Sequence, residues 1–453
     1  MKNLKFLFLL IMICVVAACK KDFLADETSK VTDDGYNALK NNPLQLKIAV
    51  MSDIHYMSPS LLKNGAANGD AFLTYLNFDS KLLEYSDPIL RDVVLQLKHD
   101  KPDIVLIPGD LTKDGEKVSH DAVAGMLQQL ADCGIKVNVI PGNHDINNPE
   151  ARMYNGDKES PAPTINAGDF PKIYGNFGYK DAICRDPNSL TYICQPYRGL
   201  WILGIDDCEY YDNTNIAIVA GKIRPETMTW ILGKLKEAKQ KNITVLSMMH
   251  HGIVEHYTGE ETLDPGYVTT GYETNGPLLL NAGLKIMFTG HYHANDITLL
   301  RTEGGDVLYD IETGSLVTPP SPYRMVTLTK QGMDISTSWI TSIDCPLPGG
   351  MSFTDYSNAF LSAHLDGYFT YVLNAKYGIP NAAPDYLATY MAPQFRNGMM
   401  AHLAGDESIS SEEQGLDDWI GNINSDLGGA LYTFWTDLPP ADNQLHINLK
   451  YDQ

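Results

Sequence analysis

The sequence predicts an α/β protein built on a largely parallel sheet covered by helices. Three observations predict it. Short apolar runs alternate with amphipathic helical stretches in the order β-α-β-α-β. Five of the apolar runs end in clusters of Asp, Asn and His, where open α/β sheets bind their ligands. The composition is globular, with 44% apolar and 20% charged residues in a chain of 453, long enough to bury a large core unaided.

The elements follow in chain order. Lys2 and Lys5 precede an apolar run at 6–16, too short to span a bilayer comfortably, and Val16-Ala17-Ala18-Cys19 follows. Residues 1–18 therefore read as a signal peptide. The small residues before Cys19 resemble a bacterial lipobox, so cleavage before Cys19 and lipidation of its thiol are expected. Lys20-Lys21-Asp22 resembles a surface-export tag of Bacteroidota-type lipoproteins, and 19–43 read as a polar tether. An exported protein, lipid-anchored to the bacterial envelope, is the expectation. No later stretch is apolar enough for a membrane helix.

Residues 46–51 read as a buried strand ending at Ser52-Asp53. Leu90, Val93, Val94 and Leu97 recur at helical spacing. Residues 103–107 form the next strand, ending in Pro108-Gly109-Asp110. Val123, Met126, Leu127 and Leu130 mark a second helix, closed near Gly134. Residues 137–140 are the third strand, ending in Pro141-Gly142-Asn143-His144-Asp145. An irregular stretch fills 146–189, then 190–205 read as a hairpin turning near Arg198-Gly199. Pro225 opens a helix that Met228, Ile231, Leu232 and Leu235 continue. Strand 243–247 runs into Met249-His250-His251-Gly252, and strand 286–289 into Gly290-His291-Tyr292-His293. Shorter strands fill 297–341. A linker-like run at 345–350 separates a domain at 44–342 from a mainly helical region at 343–453.

Charge and cysteine usage narrow the function. The net charge is −22; loss of 1–18 leaves 32 basic against 56 acidic residues, a charge of −24. Such a chain does not coat nucleic acid or anionic lipid by charge alone, so no stable nucleic-acid binding is expected. A phosphate-bearing ligand needs a local positive centre. Beyond Cys14 and Cys19, five cysteines remain, so at least one is unpaired. Cys184 and Cys194 flank a turn-like Asp186-Pro187-Asn188 and suit either a disulfide or small buried thiols.

The candidate chemistry lies just past the five strands: Asp53 and His55, Asp110, Asn143 and His144, His250, and His291 and His293. Residues i and i+2 of an extended segment point the same way, so Asp53/His55 and His291/His293 are expected to act as paired clamps. Four imidazoles, two carboxylates and one amide carbonyl suit Mn, Fe, Zn or Co rather than Ca. With Asp110 shared, these donors make two sets of four.

The ordered series Asp53-x-His55, Gly109-Asp110, Gly142-Asn143-His144-Asp145, His250-His251 and Gly290-His291-Tyr292-His293 resembles the calcineurin-like metallophosphoesterase superfamily over residues 46–295. The resemblance implies a four-layer sandwich of two mixed β-sheets flanked by helices, and two divalent transition-metal ions. It places Asp53, His55, Asp110 and His293 on one metal. Asp110, Asn143, His250 and His291 hold the other. It makes His144 the general acid, with Asp145 as the group orienting its imidazole. A water bridging the metals would attack phosphorus in line. Where relatives carry proline after the His pair, Gly252 stands; His250 is taken as the ligand. His251 is left outside the metals' own shell, on the substrate side with Asn143. The insert between Tyr56 and Asp87 is expected to drape near the metals, offering Asn64, Gly65, Asn68, Asp70, Tyr75 and Asp79.

The implied activity is hydrolysis of phosphate mono- or diesters of small molecules, nucleotides and cyclic nucleotides included. The alternatives are a phospholipid- or sphingolipid-type phosphodiesterase and a non-catalytic surface-binding lipoprotein. The latter predicts eroded ligands, and all seven are present. His256, Asp206 and Asp207 read either as supports of the site or as loop residues. Tyr210, Tyr211 and Tyr257 read either as cleft or as packing. His99 and His120, on helices, are expected to be solvated. The helical tail at 353–439 suits a cap, a dimerisation module or an extra domain, and oligomeric state is left open.

Overall fold

The computed structural model describes residues 45–63, 69–77, 79–376, 391–423 and 425–449. The signal peptide, tether and Cys19 lie outside the described residues, as do Asn64, Gly65 and Asn68.

The first three strands are β1 (Leu46–Val50), β2 (Ile104–Pro108) and β3 (Lys136–Ile140), joined by helices α1 (Ser86–Asp100) and α2 (Lys117–Asp132). They pair in parallel, β1 with β2 and β2 with β3. α1 buries Ile89, Leu90, Val93, Val94 and Leu97, the spacing of one helix face. Next come β4 (Ala182–Arg185), β5 (Tyr192–Tyr197), β6 (Leu200–Gly204), α3 (Pro225–Gln240), β7 (Thr244–Met248), α4 (Tyr272–Asn281) and β8 (Ile286–Thr289). The expected hairpin is β5–β6, paired antiparallel. Then follow β9 (Ile297–Arg301), β10 (Val307–Glu312), β11 (Pro322–Leu328) and β12 (Gly332–Trp339). The tail supplies α5 (Phe353–Lys376), α6 (Ala392–Ala404), α7 (Ser411–Ile423), α8 (Ser425–Phe434) and β13 (Gln444–Asn448).

These strands make two mixed sheets, β13-β12-β11-β1-β2-β3 and β9-β10-β8-β7-β6-β5-β4. Alternation along β6 shows how they stack. Leu200 and Ile202 join the core shared with β1–β3, α1 and α2; Trp201 and Leu203 join a second core with Ile231 and Leu235 of α3. The result is the four-layer sandwich, helices outside and sheets face to face.

The tail is mainly helical, and α5, α6 and α8 share a core of Leu361, Leu365, Phe369, Phe395, Leu431 and Phe434. This core also holds Ala294, with Tyr292 packed on it, so the helices sit against the β8 strand end. The chain then returns: β13 pairs antiparallel with β12, Ile447 opposite Met333. Fully buried Arg324 of β11 donates to the carbonyls of Glu312 (3.0 Å), Asp296 (3.2 Å) and Asp442 (2.6 Å), tying the approach to β13 into the sandwich. The described cysteines are free thiols; Cys194 is buried and donates to the Gly178 carbonyl at 3.0 Å.

Candidate metal centre

All seven proposed ligands come together at the carboxyl ends of β1, β2, β3, β7 and β8. Asp53, His55, Asp110, Asn143, His250 and His291 are buried, and the His293 side chain is 15% exposed. Asp53 and His55 face one donor group together as expected, whereas His291 and His293 face different ones, and neither pair sits on an extended backbone. Asp53, His55, Asp110, His291 and His293 all have positive φ, between 38° and 78°, so the backbone has left the extended form. Each side chain is aimed by a tight turn at the strand end, a costly conformation that the surrounding contacts hold. The motif glycines permit this crowding. A Cβ on Gly142 would collide with Asp110, and one on Gly290 with Ser52 and Asp53.

The donor atoms fall into two groups. In the first, Nε2 of His55 and Nε2 of His293 lie 3.1 Å apart, with Asp53 Oδ1 3.5 Å from His293 and Asp110 Oδ2 3.4 Å from His55. In the second, His250 Nε2 lies 3.0 Å from Asn143 Oδ1, 3.2 Å from His291 Nδ1 and 3.5 Å from Asp110 Oδ2. Donors about 2.1 Å from one ion sit roughly 3.0–3.4 Å apart at tetrahedral or octahedral angles. The spacings fit, and so do the donors: imidazole nitrogens and carboxylate oxygens converge in both groups, with one amide oxygen in the second, the mixed set a divalent transition metal takes. The Asp110 Oδ2 atom belongs to both groups.

Second partners fix the rings. His250 Nδ1 donates to the Pro108 carbonyl at 2.9 Å, leaving the Nε2 lone pair for a cation. His293 Nδ1 is 3.0 Å from Thr318 Oγ1. The Asp53 carboxylate accepts the His291 backbone N–H at 3.1 Å. Burial alone would raise the Asp110 carboxyl, but His250, His144 and His55 hold it well below the usual carboxylate range.

His144 lies beside this centre, its ring edge-on to His55 with centroids 4.9 Å apart and its side chain 26% exposed. Its Nδ1 is 3.0 Å from Asp114 Oδ1, so Asp114 orients it rather than Asp145. The Asp145 carboxylate is fully used elsewhere. It accepts the backbone N–H groups of Gly142 (2.9 Å), Leu111 (3.0 Å) and Thr112 (3.0 Å) and the Thr112 hydroxyl (2.9 Å), fastening one strand-end loop to the next. Burial would lower the His144 imidazole; Asp110 and the Asp114 hydrogen bond bring it up to about 9.

Other expectations change. His251 has no nitrogen for substrate: Nδ1 is 3.1 Å from Asp207 Oδ2 and Nε2 2.7 Å from the Val219 carbonyl. Its ring lies 4.2 Å from that of His291, so it buttresses a ligand. His120 is buried, not solvated, with Nε2 2.8 Å from the Asp145 carbonyl and Nδ1 2.7 Å from the Tyr174 hydroxyl. His99 is exposed, beside Asp100. His256 is buried 2.9 Å from Asp296, away from the donors, and Asp206 accepts the Tyr210 hydroxyl at 2.7 Å. Tyr211 is half exposed, and Tyr257 is buried and bonded to Asp264. Of the insert, Asp79 reaches the cleft, Tyr75 donates to Asp79 at 3.1 Å, and Asp70 only begins a short helix, Asp70–Leu76.

The centre opens into a cavity of about 460 Å³ that Asp110, Asn143, His144, His291 and His293 line. Sequence reasoning missed Lys81, Tyr267 and the α5 residues at its wall. It also missed Asp114, whose local signal was the turn Asp114-Gly115 just past Asp110.

Comparison with known proteins finds the following similarities. Over 59 residues, 13% of the chain, it is 39% identical to a probable cyclic nucleotide phosphodiesterase of Vesicomyosocius okutanii subsp. Calyptogena okutanii (strain HA). The chain spans 24% of that relative's length. A dimetal phosphatase from Danio rerio shares 14% identity with a TM-score of 0.44, covering 66% of this chain and 97% of that one. A protein of Thermus thermophilus shares 11% with a TM-score of 0.35, covering 63% and 99%. The family of calcineurin-like phosphoesterases matches residues 46–295, more than half of the sequence, and the chain belongs to that family.

Proposed function

We propose that the protein is a dinuclear metal-dependent phosphoesterase that hydrolyses phosphate mono- or diesters at the bacterial envelope. Family membership implies divalent metal ions, and the observation that carries the dinuclear reading is the Asp110 carboxylate shared between two groups of facing donors. Asp53, His55, Asp110 and His293 would hold one ion, and Asp110, Asn143, His250 and His291 the other. Bound there, such ions supply Lewis acidity toward the phosphoryl group and a nucleophile at neutral pH.

The protein's own residues do the rest. Asp110 accepts the His144 backbone N–H at 3.0 Å through Oδ1, which sets the acid's position relative to the centre. With Nδ1 held by Asp114, the remaining nitrogen of His144 is the one left to the cleft it lines. That nitrogen gives its proton to the departing alkoxide. Bound cations would lower the imidazole from its raised value toward the working pH, where an acid is most effective. Lys81, 3.4 Å from Asp79, lines the same cleft and offsets the acidity of the surrounding protein toward an anionic ester.

A panel of phosphate mono- and diesters, assayed with protein reconstituted with Mn, Fe, Zn or Co, tests the activity. No turnover with any metal would leave a binding lipoprotein as the better reading. Anchoring through Cys19 is supported by the residues around it; fatty-acid labelling of the intact chain that persists in Cys19→Ala would remove it.

A further inference from the structure

We propose that the substrate is an amphipathic phosphoester whose hydrocarbon chain lies under the C-terminal helices while its phosphate meets the metal centre. The inference rests on the phosphoesterase reading above and names its substrate class.

One cavity serves both ends. Besides Asn143, His144 and His293, the cavity is lined by α5, α6 and α8, through residues such as Leu361, Leu365, Phe369, Phe395 and Phe434. On α5 the lining positions are 361, 364, 365, 368, 369, 372 and 373, the spacing of a single helix face turned to the cavity. Of the tail residues in the lining, only His364 and Tyr368 carry a side-chain nitrogen or oxygen. A sugar or base placed there would lose its water and find almost no partner among the tail residues. A hydrocarbon chain gains from the same lining.

The charge agrees. Among the described residues Lys81 is the lone lysine or arginine in the lining, and Asp79 already pairs with it. That suits a single phosphate better than a polyphosphate. Tyr368 is 48% exposed and marks an open edge where a chain can enter or leave. The cavity volume, about 460 Å³, is in the range of roughly 300–1,000 Å³ that takes one small organic ligand.

The test uses the full chain, metal-loaded, with n-alkyl phosphates and n-alkyl 4-nitrophenyl phosphates from ethyl to decyl, all below the concentration at which they aggregate. We expect kcat/KM to climb along the series, by up to about fourfold per methylene, the value of one fully buried methylene. Val372→Asp, at a half-buried lining position, should cut the decyl-to-ethyl ratio by at least about tenfold. The wild-type series stands whether or not that variant folds. Phosphatidic acid in phosphatidylcholine vesicles, assayed beside the soluble series, separates a chain drawn from a bilayer from one captured free, and turnover in either form supports the proposal. A flat series with good cleavage of the ethyl ester overturns the proposal and leaves the phosphoesterase reading intact. No cleavage of any ester overturns that reading, and the proposal with it.

Discussion

Asp114→Asn keeps the side-chain volume and removes one negative charge from a buried chain of contacts. Asp114 lies between the Lys113 ammonium, to which it is bonded, and the His144 imidazole 3.0 Å away. Burial alone would raise its carboxyl, but Lys113 and His144 hold it below the usual range, so it is ionised at neutral pH. The amide still fills the space, and Lys113 retains Glu116 Oε1 at 3.7 Å. What is lost is one charge-assisted hydrogen bond to the acid, worth about 1.5–3 kcal/mol, or roughly tenfold to a hundredfold in rate where that proton matters. Alkyl esters should lose that much in kcat/KM, whereas 4-nitrophenyl esters, whose leaving group barely needs a proton, should lose less than about threefold. The assay is kcat/KM across leaving groups of graded basicity, in a cycle with His144→Asn. With His144 already replaced, Asp114→Asn should add almost nothing. Equal losses for every leaving group, or the same loss with and without His144, would refute the assignment.

Three further outcomes are expected. Thr318→Val removes the partner 3.0 Å from His293 Nδ1 and should weaken metal binding about 10–100-fold, read by competition with a chelator; unchanged affinity would show that the ring is held by packing alone. Burial lowers the His120 imidazole to about 4, below its ordinary 6.5, so the unfolded chain takes up the proton first. Its contribution to stability is therefore complete above about pH 6.5 and declines by up to about 3 kcal/mol as pH falls toward 4. His120→Gln should flatten that slope in denaturant titrations, and an unaltered slope would count against it. A chain ended at residue 342 loses β13 and the Asp442 carbonyl that Arg324 binds, and bares the apolar surface around Ala294; it should aggregate, and a soluble, metal-binding product would show the tail to be dispensable.

The sandwich and its ligands were legible because each rests on a local pattern. β1, β2, β3, β7 and β8 are short apolar runs, and turns or helix caps have no reason to place His at four of the seven positions beyond them. What joins distant segments was not legible. Nothing near Asp145 says that its oxygens are spent on Gly142, Leu111 and Thr112, and nothing near His251 says that Asp207 and Val219 take both its nitrogens. His120 looked solvated because its partners, Tyr174 and the Asp145 carbonyl, belong to other elements. The left-handed backbone at Asp53 and His291 was hidden by a spacing that also suits an extended strand. The tail showed its helices through composition, yet only the fold reveals that one face of α5 closes the cavity over the metal centre.

The central claim is that Asp110 joins two donor groups into one dinuclear centre. Metal content of the purified full-length protein, measured by elemental analysis alongside its phosphoesterase activity, tests it most directly. The structure predicts two ions per chain in the wild type, with Asp110→Asn losing most of the bound metal and nearly all turnover. Two ions retained in Asp110→Asn with normal activity, or full activity from a wild-type protein holding a single ion, would contradict it.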